Sequence, residues 1–289
     1  PPDLPIGQQQ SSATRHRGRR LASFVGALAV TGLCLPMTPN GAQAAERTVD
    51  IELVLAADIS GSMDVQEATL QRAGIVGAIR HPLVVEAIRR GQLGRIAVTY
   101  VEWAGALHQH TVVGWTEIAG AADANAFAAA IAARDVNIAM WTSISTVIDY
   151  ASHHFEGNGY RGLRRIIDIS GDGPNNQGDY VVDARDRAIG AGLTINGLAI
   201  VNDRPGPFFF PPMRDLDLYY QDCVIGGPGA FMVVANGFTD FARAIQRKLL
   251  LEIAGGAPPV PLLRRAAARL RPPCDIGEQQ VRGWMFDYD

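Results

Sequence analysis

The stretch Ala56-Ala57-Asp58-Ile59-Ser60-Gly61-Ser62-Met63-Asp64 closes an apolar run that begins at Val49. An apolar run of this length, ended by a turn signal, is a strand buried on both faces, as a parallel sheet requires. Two acids and two hydroxyls then fall within seven positions, with Asp58, Ser60 and Ser62 on alternate residues around Gly61. Taken alone, these residues also suit a turn and a helix cap. The decision between the readings lies in whether other strand ends carry matching residues.

Strand and helix signals alternate outward from this point. The strand at residues 49–57 is followed by helical spacing over 66–90, through Leu70, Ile75, Ile79, Val84 and Ile88, with Pro82 placed to bend or break it. Residues 95–103 and 108–115 are strand-like runs joined by a short Gly-containing link, a hairpin that adds one antiparallel strand. Further strands are expected at 164–170, 193–201 and 230–234, and helices at 119–134, 143–155, 179–191, 215–222 and 238–253. Such alternation specifies an α/β domain: a doubly wound, mostly parallel sheet with one antiparallel edge strand and helices on both faces. With 47% of its 289 residues apolar, the chain can build the core of one such domain.

The termini read differently from this body. Arg15, Arg17, Arg19 and Arg20 precede an apolar run over residues 21–35, and Ala42-Gln43-Ala44 supplies a small-x-small cleavage pattern, so residues 1–44 read as a signal peptide. That run is shorter than the roughly 20 apolar residues needed to span a bilayer and is interrupted by Thr31 and Gly32, so no stable membrane span is expected after cleavage. Leu33 before Cys34 argues against lipid anchoring, and Arg19-Arg20 leaves Sec and twin-arginine export both open. The expected location is periplasmic or secreted. The domain itself is assigned to residues 45–254, and residues 255–289, rich in Pro and Arg, read as a solvated tail with one or two helical turns. Cleavage removes four Arg and one Asp, so 26 basic and 29 acidic residues become 22 and 28, a formal net charge of -6. With Lys248 the single lysine and no basic footprint, nucleic acid is excluded as a partner. Cys223 and Cys274 remain, and their spacing leaves a disulfide or two free thiols equally open.

In a sheet of this kind ligands bind beyond the carboxyl ends of the strands. There the sequence places Asp58, Ser60 and Ser62 after the first strand, Thr142 at the start of the helix from 143, and Asp172 after the strand ending at Ser170. Two carboxylates and three hydroxyls, with no Cys and no paired His nearby in sequence, suit a hard divalent cation, Mg²⁺ first and Mn²⁺ or Ca²⁺ next, rather than zinc or copper. Asp-x-Ser-x-Ser, then a lone Thr, then an Asp, in this order over about residues 48–254, resembles the metal-ion-dependent adhesion site (MIDAS) of the von Willebrand factor type A domain family. The phrases TYVEWAG, TSIS and ISGDGPNNQGD are similar to a subgroup of secreted bacterial proteins of that fold, described as a domain of unknown function. The resemblance implies a Rossmann-like type A fold in which Ser60, Ser62 and Thr142 touch the ion directly and Asp58 and Asp172 act partly through water. It also implies an ion that stays electrophilic, with one position open to a partner's carboxylate.

The expected function is an exported metal-dependent binding module, without a catalytic role, that engages a protein partner through an exposed Asp or Glu. One alternative is a structural or assembly subunit with a purely structural metal. Another is a metal-dependent phosphatase, since DISGS and GDGPNN are also similar to the haloacid dehalogenase phosphatases. Those use Asp-x-Asp-x-Thr, with a nucleophile and a general acid. Here the second position is Ser60, and no Lys lies between Thr142 and Asp172. A serine hydrolase is excluded by the lack of a Gly-x-Ser-x-Gly elbow. Glu102 and Trp103 end a strand on the ligand side and read as an outer acceptor and a core residue. Asn175 and Asn176 either orient waters near the site or form an ordinary turn. The run PGPFFFPPM, residues 205–213, offers an apolar rim for a partner through Phe208–Phe210 or folds back on the helices.

Overall fold

Strand β1, Arg47–Asp58, lies at the centre of the sheet because it is apolar on both faces: every residue from Ile51 to Asp58 is buried. Ile51, Leu53, Leu55 and Ala57 enter one core, and Val54 and Ala56 enter the other. The computed structural model describes residues 45–204, 212–255 and 271–286. The other strands are β2 Ile96–Trp103, β3 Gln109–Ile118, β4 Tyr160–Gly171, β5 Thr194–Val201 and β6 Met232–Asn236, and the sheet order is β3-β2-β1-β4-β5-β6. Every neighbouring pair is parallel except β2 with β3. The observed architecture is therefore the doubly wound, mostly parallel sheet with one antiparallel edge strand that the sequence specifies.

The helices are α1 Val65–Ile79, α2 Pro82–Arg89, α3 Ala121–Ala132, α4 Ile144–His153, α5 Val181–Gly190, α6 Leu216–Tyr219, α7 Phe238–Ala254 and α8 Ile276–Phe286; α6 continues as a π-helical turn, Tyr220–Val224. α1, α2, α3 and α7 cover one face of the sheet, around Ile75, Phe127 and Phe241, and α4, α5 and α6 cover the other, around Ile148, Ala184 and Tyr219. Pro82 breaks the expected 66–90 helix by taking the first position of α2, where its missing N–H has no intrahelical partner to lose. Asp64 is a cap: its carboxylate accepts from Glu67 N while Glu67 reaches back to Asp64 N. β4 starts four residues earlier than its apolar signal, at Tyr160, because that end pairs with Arg47–Val49 through backbone alone, and its side chains are half-buried or exposed.

The C-terminal segment departs from a solvated tail. Within the described residues 271–286, Cys274 is bonded to Cys223 with Cα atoms 5.4 Å apart, Arg271 pairs with Asp222, and Cys274 and Ile276 pack against the core that holds Tyr219. The segment carries α8, three turns where the composition suggested one or two, because the bridge and this apolar contact stabilise a helix that a free Pro- and Arg-rich tail would not hold. The expected signal peptide, residues 1–44, and the Phe208–Phe210 loop lie outside the described residues. Among the described residues no helix is long and apolar enough to cross a membrane.

One charged cluster lies inside the core. Lys248 of α7 is 0% exposed; its Nζ pairs with Asp168 of β4 and lies 2.7 Å from Glu252 Oε1, which also accepts from Asn196 Nδ2 at 2.8 Å. Two carboxylates share one ammonium, so one proton is retained: burial, then the charge of Glu252, pushes Asp168 up to about 8. An unfolded chain releases that proton near the ordinary value of 3.8. Between these values the folded state binds the extra proton, so stability falls as pH rises, by up to about 1.4 kcal/mol per pH unit for one proton. Denaturant melts from pH 5 to 8 should show this slope in the wild type and a flatter profile in Asp168→Asn; parallel profiles would refute the assignment. Peptide mapping without reductant should recover Cys223 linked to Cys274, and reduction should lower the melting temperature.

Candidate metal centre

The strand order reverses between β1 and β4, so the chain leaves these two neighbours in opposite directions and the loops beyond their carboxyl ends part to leave a crevice. Asp58, the last residue of β1, and Asp172, the first after β4, flank it. Asp58 Oδ1 accepts from Ser60 N at 2.7 Å, which folds the 59–62 loop back over the strand end. Ser60 Oγ and Ser62 Oγ are 2.8 Å apart, and Ser62 Oγ donates to Asp172 Oδ1. Thr142 lines the same small cavity, about 50 Å³, as Ser62 and Asp172. All five residues expected to bind the ion are thus brought together by the ends of β1 and β4 and the loop that leads into α4.

The electrostatics of this cluster are unfavourable as they stand. Burial raises Asp58 well above the usual carboxylate range, the charge of Asp172 raises it further, and hydrogen bonds from Ser60 oppose both. Asp172 is pushed up to about 7, chiefly by burial, with the Ser62 hydroxyl opposing and the charge of Glu67 adding. Asp58 Oδ2 is buried without a hydrogen-bond partner among the described residues, and so is Tyr220 OH. Both crowd Gly171, where a Cβ would lie 2.9 Å from Asp58 Oδ2 and 2.7 Å from the tyrosine oxygen, so only glycine admits them. A buried carboxylate without a counter-charge is costly, and a divalent cation compensates two at once. Among the described residues no group of three His, Cys, Asp or Glu is gathered in one place, so the hydroxyl-rich set stands as the candidate, and its hard oxygens fit Mg²⁺, Mn²⁺ or Ca²⁺.

The loops that carry the five residues are cross-linked by the residues that follow Asp172, among them Asn175 and Asn176, for which the sequence leaves a water-orienting role and an ordinary turn both open. Asn176 Oδ1 accepts from Thr142 N and Asn176 N donates to Thr142 O, each at 2.8 Å. Asn175 Oδ1 accepts from Ser145 N at 2.9 Å, and Gln177 Oε1 accepts from Ala106 N at 2.8 Å. The residue before Thr142, Trp141, has φ 68°, a left-handed conformation that costs a non-glycine residue about 1–3 kcal/mol and recurs at functional loops. Gln71 of α1 donates to Asp58 O at 2.6 Å and pins the strand end from below. Trp103 is fully buried, as a core residue, whereas Glu102 accepts from Arg72 Nε at 2.9 Å and Tyr100 OH at 2.9 Å, a buried ion pair rather than a contact to the five residues. The mouth of the cavity is apolar, with Met140, Trp141, Pro174 and Met213, and Arg204 and Gln280 stand beside them. Leu107, 94% exposed, projects from the adjoining loop, which is tied to this rim by Gly105 N donating to Met140 O at 3.1 Å.

Among solved structures, the pilus adhesin SpaC from Lactobacillus rhamnosus GG aligns with a TM-score of 0.53 at 12% identity, over 73% of this chain and 31% of its own. Proximal thread matrix protein 1 (PTMP1) from the mussel byssus aligns at 0.51 with 14% identity, over 73% of this chain and 49% of its own. A von Willebrand factor type A structure from Catenulispora acidiphila aligns at 0.46 with 13% identity, over 73% and 43%. The chain spans half or less of the length of each of these structures, and identities this low show a shared fold alone. No curated protein matches the chain. The fold that this chain shares with SpaC and PTMP1 is the doubly wound, mostly parallel sheet with one antiparallel edge strand. A family model described as "Protein of unknown function (DUF1194)" matches residues 48–257, more than half of the chain, and the chain therefore belongs to the DUF1194 family.

Proposed function

We propose that this domain is a metal-dependent binding module: Asp58, Ser60, Ser62, Thr142 and Asp172 hold a divalent cation, Mg²⁺ in the first place, and a protein partner docks on it through an exposed Asp or Glu. The observation that carries the proposal is the uncompensated pair Asp58 and Asp172, buried at the crevice with three hydroxyls and an unpartnered carboxylate oxygen. A divalent cation held there would supply an electrophilic centre that a partner's carboxylate oxygen can complete. The residues of this chain do the rest. Ser60 N and Gln71 fix Asp58, Asn176 holds Thr142 against the Asp172 loop, and the apolar mouth excludes water from the contact. Its Met140, Trp141 and Met213, with Leu107 beside them, suit an acidic side chain set among apolar neighbours. SpaC is an adhesin and PTMP1 a matrix protein; by analogy of fold alone, attachment is a task this architecture can serve.

The same proposal places the protein in the periplasm or outside the cell, and the Cys223–Cys274 bridge supports an oxidising compartment. It assigns no catalytic step, because the hydroxyl of Ser60, two residues after Asp58, is no general acid. Turnover of generic phosphate esters by the metal-loaded protein would overturn that part.

Added Mg²⁺ or Mn²⁺ should raise the melting temperature, corresponding to about 2.7 kcal/mol at a concentration one hundred times Kd. Asp58→Ala should fold and lose the response; an equal response in both proteins would sink the metal reading. Protons compete for the same carboxylates, so the response should be weaker at pH 5.5 than at pH 7.5, on either side of the value near 7 for Asp172. Once a partner is captured, Thr142→Ala should weaken its binding more than it lowers stability, and chelator should release it. Affinity unchanged by chelator and by Thr142→Ala would leave the metal a structural role only.

A further inference from the structure

Asn175 is the junction between the two loops that carry Thr142 and Asp172. It follows Asp172 by three residues, and its Oδ1 accepts from Ser145 N, three residues after Thr142, at 2.9 Å. For the amide to face this way its Nδ2 must find acceptors on the opposite side, and it finds two: Asp179 O at 3.0 Å and Glu278 Oε1 at 2.7 Å. Glu278 belongs to α8, far along the chain. Tyr219 of α6 links Asn175 to the residue two before that helix, and the helix itself touches Asn175 once more. Tyr219 OH accepts from Asn175 N at 3.1 Å and donates to Cys274 O at 3.4 Å, and Gly277 packs on the Asn175 carbonyl so closely that a Cβ would lie 2.0 Å from its oxygen. Gln280, two residues beyond Glu278, lines the cavity over Thr142 and Asp172.

We propose that α8, anchored by the Cys223–Cys274 disulfide and the Arg271–Asp222 ion pair, is a working part of the metal centre, and that Glu278 is its positioning residue, holding the Asn175 amide that sets the Thr142 and Asp172 loops in register. The proposal rests on the metal reading above and deepens it. Asn175 is completely buried, so an amide turned the wrong way would place its NH₂ against Ser145 N and two donors would face each other. A carboxylate, like the Asp179 carbonyl, accepts only, so Glu278 and Asp179 O hold the amide in this orientation together, with Glu278 the shorter contact and the one side chain of the two. Outer residues that orient metal ligands commonly change metal affinity by about 10–100-fold when removed.

The test is calorimetric titration of Mn²⁺ alone into the purified full chain and three variants, with melting temperatures recorded without metal. Glu278→Ala should weaken Mn²⁺ binding by about tenfold or more. Glu278→Gln, whose side-chain carbonyl still accepts from Asn175 Nδ2, should stay within about threefold of the wild type. Gly277→Ala, which pushes α8 off the Asn175 carbonyl, should resemble Glu278→Ala, and if it fails to fold the Ala and Gln pair at 278 still decides. A lower melting temperature with unchanged Mn²⁺ affinity in Glu278→Ala overturns the proposal and leaves the metal reading standing, and equal losses in the Ala and Gln variants overturn it as well. Absence of Mn²⁺ binding by the wild type overturns the metal reading itself.

Discussion

The reversal of strand order at β1 and β4 is the constraint on which the rest of the molecule depends. A strand buried on both faces can sit only inside a sheet, and once β2 lies on one side of β1 and β4 on the other, the loops beyond their carboxyl ends have no shared path. Backbone bonds then knit the loops at the crevice. Ile59 N donates to Trp103 O, Ala139 N donates to Ile59 O, and Ser143 N donates to Ala104 O, all between 2.8 and 3.0 Å. The crevice is therefore a stiff frame into which Asp58 and Asp172 are forced together, and it owes its position to the topology rather than to any attraction between them.

The treatment of buried charge separates structural from functional parts of this fold. Arg72 with Glu102 is one cation for one anion, completed by Tyr100 OH. Lys248 with Asp168 and Glu252 is one cation for two anions, and a retained proton makes up the difference. At Asp58 and Asp172 there are two anions, and neither forms an ion pair with an Arg or Lys among the described residues. At the crevice the imbalance is left standing, where stability alone would be served by an apolar pair or a salt bridge.

The C-terminal segment adds a second layer to the same frame. A disulfide, an ion pair and a close-packed glycine bring α8 against the Asp172 loop. Glu278 and Gly277 of α8 both meet Asn175, and the helix also lends Gln280 to the cavity. The rim is built from pieces of several loops, with Met140 and Trp141 before α4, Pro174 after β4 and Met213 before α6.

Much of this was written in local pattern. The apolar run ending at Asp58, the alternation of strand and helix signals, the break at Pro82 and the placing of the five oxygen-bearing residues after β1, before α4 and after β4 are all properties of neighbours in sequence, and side-chain periodicity reports directly which face such neighbours take. The rest depends on residues far apart in the chain. Asp168 looks like an interruption in an apolar strand until Lys248 is found opposite it, and Asn175 looks like part of a turn until Glu278, 103 residues away, is seen to hold its amide. Whether Cys223 meets Cys274 was equally open, because a disulfide depends on a few ångströms of distance that spacing along the chain does not encode. By itself the sequence determined the α/β fold and, to within two residues, the carboxyl ends of its parallel strands, since local periodicity and turn chemistry suffice for that. Only the tertiary structure decided which charges are compensated and which loops are tied, because those follow from how the packed layers bring distant side chains within hydrogen-bonding reach.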